Sequence, residues 1–209
     1  AKIAVDKKGY IYAASKGSYL GALLFTPEGE FSAFFGANTV KGTFLTALSN
    51  IWNRLTQNDV KRSKSRKTLP YDFSDIFVDA SGFVYTSTGM NANGDVIRKL
   101  SPSGTNILSN SDSINYGEKD KVKRLNSTVK QNFSGISADA DGFIYALDSE
   151  YGLIYIYDEQ SNLLAAFGGG RGLGNQNGTF VSACSMALSE DKLYVADSFN
   201  QNITVFSKT

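Results

Sequence analysis

Apolar and polar residues alternate along most of this chain in short runs, and the runs are broken by Asp, Gly, Asn and Ser. Ile76-Phe-Val78 and Phe83-Val-Tyr85 are typical, separated by Asp79-Ala-Ser-Gly82. A period of two with turn residues between predicts strands joined by hairpins. Aligning Tyr12, Tyr85, Tyr145 and Tyr194 exposes a repeat: IAVDKKGYIYAAS, IFVDASGFVYTST, ISADADGFIYALD and MALSEDKLYVADS. In the first three copies an Asp stands six residues before the Tyr (Asp6, Asp79, Asp139) and a Gly three before it (Gly9, Gly82, Gly142). The fourth has Leu188 and Asp191 in those places. The Asp supplies a side-chain bond to the turn backbone, and the Gly supplies the positive φ. A third strand ends each unit's next run at Phe25, Leu100, Tyr157 and Phe206. Fourth strands follow at Phe31 to Phe35, Asn106 to Leu108 and Leu163 to Phe167.

Four antiparallel strands per repeated unit, with Gly and aromatic punctuation, predict an all-β fold of the β-propeller type with four recognisable four-stranded blades. The whole of residues 1–209 reads as one such domain or a fragment of one. The Tyr-to-Tyr spacings are 73, 60 and 49 residues. A blade needs roughly 40–50 residues, so the first two intervals carry insertions, placed at about 43–70 and 110–131. In the first of these, Leu45, Leu48, Ile51, Trp52 and Leu55 have helical spacing and predict a short amphipathic helix.

The run from Phe167 to Phe180, FGGGRGLGNQNGTF, resembles the blade-to-blade linker of NHL-repeat propellers. Tyr145-Ala-Leu-Asp148-Ser149 and Tyr194-Val-Ala-Asp197-Ser198 resemble the strand end that follows it, and Phe35-Gly36 with Gly42-Thr-Phe44 is a weaker linker. The chain departs from that pattern at Ser15 and Thr88, where the family has Asp, and at Ala183, where it has Pro. The resemblance implies a propeller, typically of six blades, and little about function, because such propellers serve unrelated tasks. A small complete propeller, a fragment and half a ring are all open, with a piece of a larger ring favoured. The N-terminus, with neither initiator Met nor hydrophobic leader, reads as that of a mature or excised piece of something longer.

Composition narrows the chemistry by what is missing. The chain contains no histidine and a single cysteine, Cys184. Ser-His-Asp and Cys-His nucleophile systems, imidazole acid–base chemistry, His-dependent metal sites and an intrachain disulfide are therefore excluded. Cys184 falls in an alternating strand pattern and reads as a small buried thiol. Net charge is +1, from 21 Lys and Arg against 20 Asp and Glu, so no overall field favours nucleic acid or anionic lipid. No apolar run reaches the ~18 residues of a membrane-spanning helix.

Local charge is less even. Lys61, Arg62, Lys64, Arg66 and Lys67 lie within seven residues, directly after the predicted helix with its only Trp. With Lys119, Lys121, Lys123, Arg124 and Lys130 of the second insertion they can build one basic surface. Trp52 and the basic run are accordingly candidate partner-binding residues. Phosphate pairing is an alternative, weakened by the absence of interleaved stacking aromatics. Asp139-Ala-Asp141-Gly142 lacks the ligand number and the distal Glu of a calcium loop and reads as a hairpin turn. The glycines at 168–178 match no phosphate-binding spacing. Asp6, Gly9, Asp79, Gly82, Asp139, Gly142, Asp148 and Asp197 all read as turn or strand-end positions.

These observations favour a non-catalytic scaffold that binds another protein, or a ligand, through its loop faces and needs no cofactor. Membership of a cell-surface or solute-uptake assembly, outside the cytoplasm and tethered to a membrane, is slightly favoured over a cytoplasmic setting. The alternatives are a metal-dependent, lactonase-like hydrolase with carboxylates in the central channel, and RNA binding by the basic insertions.

Overall fold

In the computed structural model the described residues are 1–36, 72–89, 96–108, 116–117, 123–124, 127–128, 131–169 and 176–208. They form a succession of antiparallel sheets in chain order. Blade one is β1 (Lys2–Val5), β2 (Ile11–Ala14), β3 (Gly21–Phe25) and β4 (Phe31–Gly36). Blade two is β5 (Phe73–Val78), β6 (Val84–Thr88) and β7 (Ile97–Leu100). A separate two-residue pair, β8 (Lys123–Arg124) and β9 (Ser127–Thr128), follows. Blade three is β10 (Phe133–Ala138), β11 (Ile144–Asp148), β12 (Leu153–Tyr157) and β13 (Leu163–Gly168). Blade four is β14 (Ala183–Leu188), β15 (Lys192–Asp197) and β16 (Asn202–Ser207).

The first strands of the four blades lie side by side, β5 against both β1 and β10, and β10 against β14. Consecutive blades therefore stack face to face around a common inner edge, which is the propeller arrangement. Each seam has its own apolar cluster. Tyr12, Ala14, Ala22 and Phe35 of blade one meet Ile76, Val84 and Leu100 of blade two. Tyr85 and Ile97 of blade two meet Ile136, Ile144, Tyr155 and Tyr157 of blade three. Tyr145, Leu147 and Ile154 of blade three meet Leu193 and Val195 of blade four, with Phe180 of the linker. The alternation explains the assignment: in blades two and three one residue parity packs on the preceding blade and the other on the following blade, while blades one and four each bury one parity in a seam.

Blades one and three have the four strands that the pattern predicts; blades two and four have three among the described residues. In blade two the expected fourth strand at Asn106–Leu108 is reduced to the Leu100–Asn106 bridge and one bond from the Ile107 N–H to the Lys99 carbonyl. No helix stands among the described residues, and the short helix predicted within the 43–70 insertion lies outside them. Cys184 corrects the sequence reading: it is exposed, not buried. The β14–β15 register slips between Ala183 and Ser185, and this bulge takes Cys184 out of the alternation.

Candidate functional site

The repeated acids are the first residues to place, because the sequence offers them as candidates. Asp79 Oδ1 accepts the backbone N–H groups of Ser81 (2.8 Å) and Phe83 (2.9 Å), while Oδ2 accepts the Tyr85 hydroxyl (3.2 Å). Asp139 does the same with Asp141 (3.1 Å), Phe143 (2.9 Å) and the Tyr145 hydroxyl (3.1 Å). Asp6 accepts from Lys8 and Tyr10, both at 2.9 Å. Gly9, Gly82 and Gly142 close these turns at φ of 86°, 86° and 87°. In blades two and three the six-residue Asp-to-Tyr spacing thus serves one carboxylate that bonds the turn with one oxygen and the seam tyrosine with the other, while Asp6 bonds only its turn. Burial first, and then the Asp139 carboxylate, push the Tyr145 hydroxyl up to about 12. The same two causes, with Asp79 as the carboxylate, raise Tyr85 further.

Blade four breaks the spacing because its turn is one residue shorter. The Ser189 N–H bonds the Lys192 carbonyl directly, and Leu188 pairs with Leu193. Ser189, five residues before Tyr194, takes the place of the repeat Asp.

Asp148 and Asp197 sit at the opposite end of their blades and lock the incoming linker to the turn after β11 or β15. Asp197 accepts the N–H groups of Val181 (2.7 Å), Ser182 (3.2 Å), Phe199 (3.0 Å) and Asn200 (3.1 Å). Its burial favours the neutral acid, but these four donors together outweigh that and lower its pKa. Asp148 accepts only from Asn132, Glu150 and Tyr151, all on Oδ1. Among the described residues its Oδ2 is buried with no partner, so burial wins and raises its pKa.

The sequence-derived candidates do not converge. The six turn residues are spread over three blades, and the two linker acids lie at the other end. Trp52, Lys61, Arg62, Lys64, Arg66 and Lys67 lie outside the described residues. Along the inner strands the only carboxylate is Asp75. Burial raises its pKa, opposed by the Ile136 N–H that it accepts at 2.9 Å and by Lys2 at 3.8 Å. Asp75 thus ties three blades together across the inner edge. No three of His, Cys, Asp and Glu are grouped so that they could hold a metal ion among the described residues.

What the fold does bring together is a cleft of about 470 Å³ where blades three and four meet on the side of the β10–β11 and β14–β15 turns. Asp139, Asp141, Glu190 and Lys208 supply its charges, and Phe143, Tyr145 and Phe206 its aromatic wall. Lys208 Nζ holds Asp139 Oδ2 at 2.9 Å and lies 5.9 Å above the Tyr145 ring. Asp141 and Glu190 are exposed, so the mouth is anionic while the wall is apolar. Sequence reasoning missed this cleft because Glu190 and Lys208 belong to a different blade from Asp139 and Asp141. A smaller groove of about 320 Å³ lies between blades one and two, with Lys2, Lys16 and Asp72 among its walls.

No family model matches the chain, and no curated protein matches it. Solved structures do. A structural-genomics protein of unknown function from Bacteroides thetaiotaomicron aligns with 99% of this chain and 46% of its own, at a TM-score of 0.56 and 15% identity. An auxiliary nutrient binding protein from the same organism aligns over 98% of this chain and 40% of its own, at a TM-score of 0.51 and 10% identity. The chain spans about half the length of these proteins or less. At such identities the likeness shows the fold alone. Among the described residues no helix is long and apolar enough to cross a membrane.

Proposed function

We propose that this chain is a non-catalytic propeller scaffold of NHL-like repeats that binds a ligand or a protein through its turn face, and that it works in a bacterial cell-surface or solute-uptake setting. The observation that carries the reading is the cleft between blades three and four, where an apolar aromatic wall meets an anionic rim. Such a site suits a ligand with a cationic group and an apolar body, including a basic side chain presented by another protein. The repeated acids support the same reading, since each is engaged in holding turns and linkers. The likeness to a nutrient-binding protein of the same fold agrees with it.

A thermal-shift screen of cationic amino acids, polyamines and short basic peptides tests the proposal. The expected result is a stabilising ligand that the Asp141→Asn/Glu190→Gln double variant no longer binds and that mass spectrometry recovers unchanged after incubation. Conversion of that ligand would overturn the non-catalytic reading. Equal binding by the double variant, or no shift across the panel, would remove the cleft from it.

A further inference from the structure

Blades two and three place the same aromatic pair beside the following blade, but the two seams treat it differently. In blade two Lys99 stands directly across from Tyr85. Its Nζ lies 4.9 Å from the Phe83 ring centroid and 5.7 Å from that of Tyr85, and it pairs with Glu159 of blade three. The ammonium is well covered, with 11% of the side chain exposed. This seam therefore holds a cation between two aromatic rings and a carboxylate of the neighbouring blade.

In blade three the residue across from Tyr145 is Ile156, so no ammonium arm rises from that strand. Glu159 and Lys208 are at equivalent places, two residues past Tyr157 and Phe206. Lys208 pairs instead with Asp139, at 2.9 Å, and its Nζ lies 5.9 Å above the Tyr145 ring. The Phe143 ring is 37% exposed in the wall of the cleft. Two residues past the repeat Asp, blade one has Lys8 and blade two Ser81, whereas blade three has Asp141. The cleft thus lacks the lysine of the preceding seam and carries an added acid. With Lys208 on Asp139, neither Asp141 nor Glu190 has an ion-pair partner among the described residues.

We propose that the cleft seats a small alkylammonium ligand in the place that the Lys99 ammonium fills one blade earlier. The cation lies over the Phe143 ring and is met by Asp141 and Glu190, and the alkyl chain runs along Ile156. A primary ammonium suits this seat because its N–H groups can be accepted by the two carboxylates. The cleft volume of about 470 Å³ is that of a small-molecule site, for which roughly 300–1,000 Å³ is usual. The inference rests on the cationic-ligand reading of the same cleft and adds the ligand class and the seat.

Titration of n-pentylammonium into the complete chain, followed by NMR through the Tyr145 ring protons, tests it, with n-pentanol as the uncharged counterpart. The expected result is a saturable shift with the ammonium and binding roughly tenfold or more tighter than that of the alcohol. Ile156→Lys supplies the arm from within the chain and should abolish the response, with a circular dichroism spectrum like the parent's as the check on folding. Phe143 is exposed, so Phe143→Leu keeps the fold; it should weaken binding roughly three- to tenfold, the loss of one cation–π contact. Unchanged affinity in Phe143→Leu, full binding by a folded Ile156→Lys, or equal binding of the alcohol would overturn the seat. A parent that responds to a lysine-containing peptide but not to n-pentylammonium would overturn the small ligand and leave the cationic reading of the cleft standing. No response to the amine, the peptide or any other cation of the screening panel would overturn both.

Discussion

Asp148 and Asp197 hold the same place in successive repeats, yet their electrostatics run in opposite directions. The lowered pKa of Asp197 means that its contribution to stability is present above the ordinary carboxylate range and is lost as pH falls through the folded value. The raised pKa of Asp148 means that its contribution is present below that range and is lost as pH rises through the folded value. Asp197→Asn, which disrupts bonds to an oxygen accepting from Val181 and Asn200, should therefore cost about 1–3 kcal/mol near neutral pH and less at pH 3. Asp148→Asn should be better tolerated at neutral pH than at pH 3. Denaturant unfolding of both variants and the parent between pH 3 and 7 checks the two slopes. Parallel slopes would refute the assignment. The sequence shows both aspartates at once but not this difference, which depends on how many N–H donors each linker turns inward.

At the scale of elements, the linker between blades three and four depends on close backbone approach. Gly168 has a φ of 91°, and a Cβ there would lie 2.6 Å from the Gly152 carbonyl oxygen and 2.8 Å from the Phe180 ring. Gly169 and Phe180 continue the crossing, with the Gly169 N–H on Gly152 and the Phe180 N–H on Gly169. Gly168→Ala should cost about 2–5 kcal/mol, combining left-handed strain with overpacking. Gly82 has a similar φ of 86° but nothing within 4 Å of a built Cβ. Gly82→Ala should cost only about 1–2 kcal/mol, and paired thermal melts of the two variants provide the comparison. The sequence marks these glycines equally. Only packing separates a glycine needed for its φ from one needed also for its missing side chain.

For the whole molecule, protection should follow the number of covered faces. Blades two and three have neighbours on both sides, and β6 and β11 are buried along their whole length. The outer faces of blades one and four are open in a single copy. Native-state hydrogen exchange should therefore leave amides of β6 and β11 slowest and those of β1 and β16 fastest in monomeric protein. Exchange in β6 or β11 as fast as in β1 or β16 would show that burial in the seams does not set the order.

The amino-acid sequence determined the local grammar of this protein: the period-two strands, the Asp-to-Gly turns, the strand-end aspartates and the existence of four repeats. Those features are set by interactions within a few residues, which leave their signature in spacing. Three local details differ from the sequence reading: the shorter turn of blade four puts Ser189 in the place of the repeat Asp, Cys184 is exposed, and the strand expected at Asn106 is reduced to a bridge. The seams, the cleft that joins Asp139 and Asp141 to Glu190 and Lys208, and the role of Asp75 across three blades were decided by tertiary structure alone. They join residues tens of positions apart, and identical alternation in every blade cannot say which residues will meet across a seam.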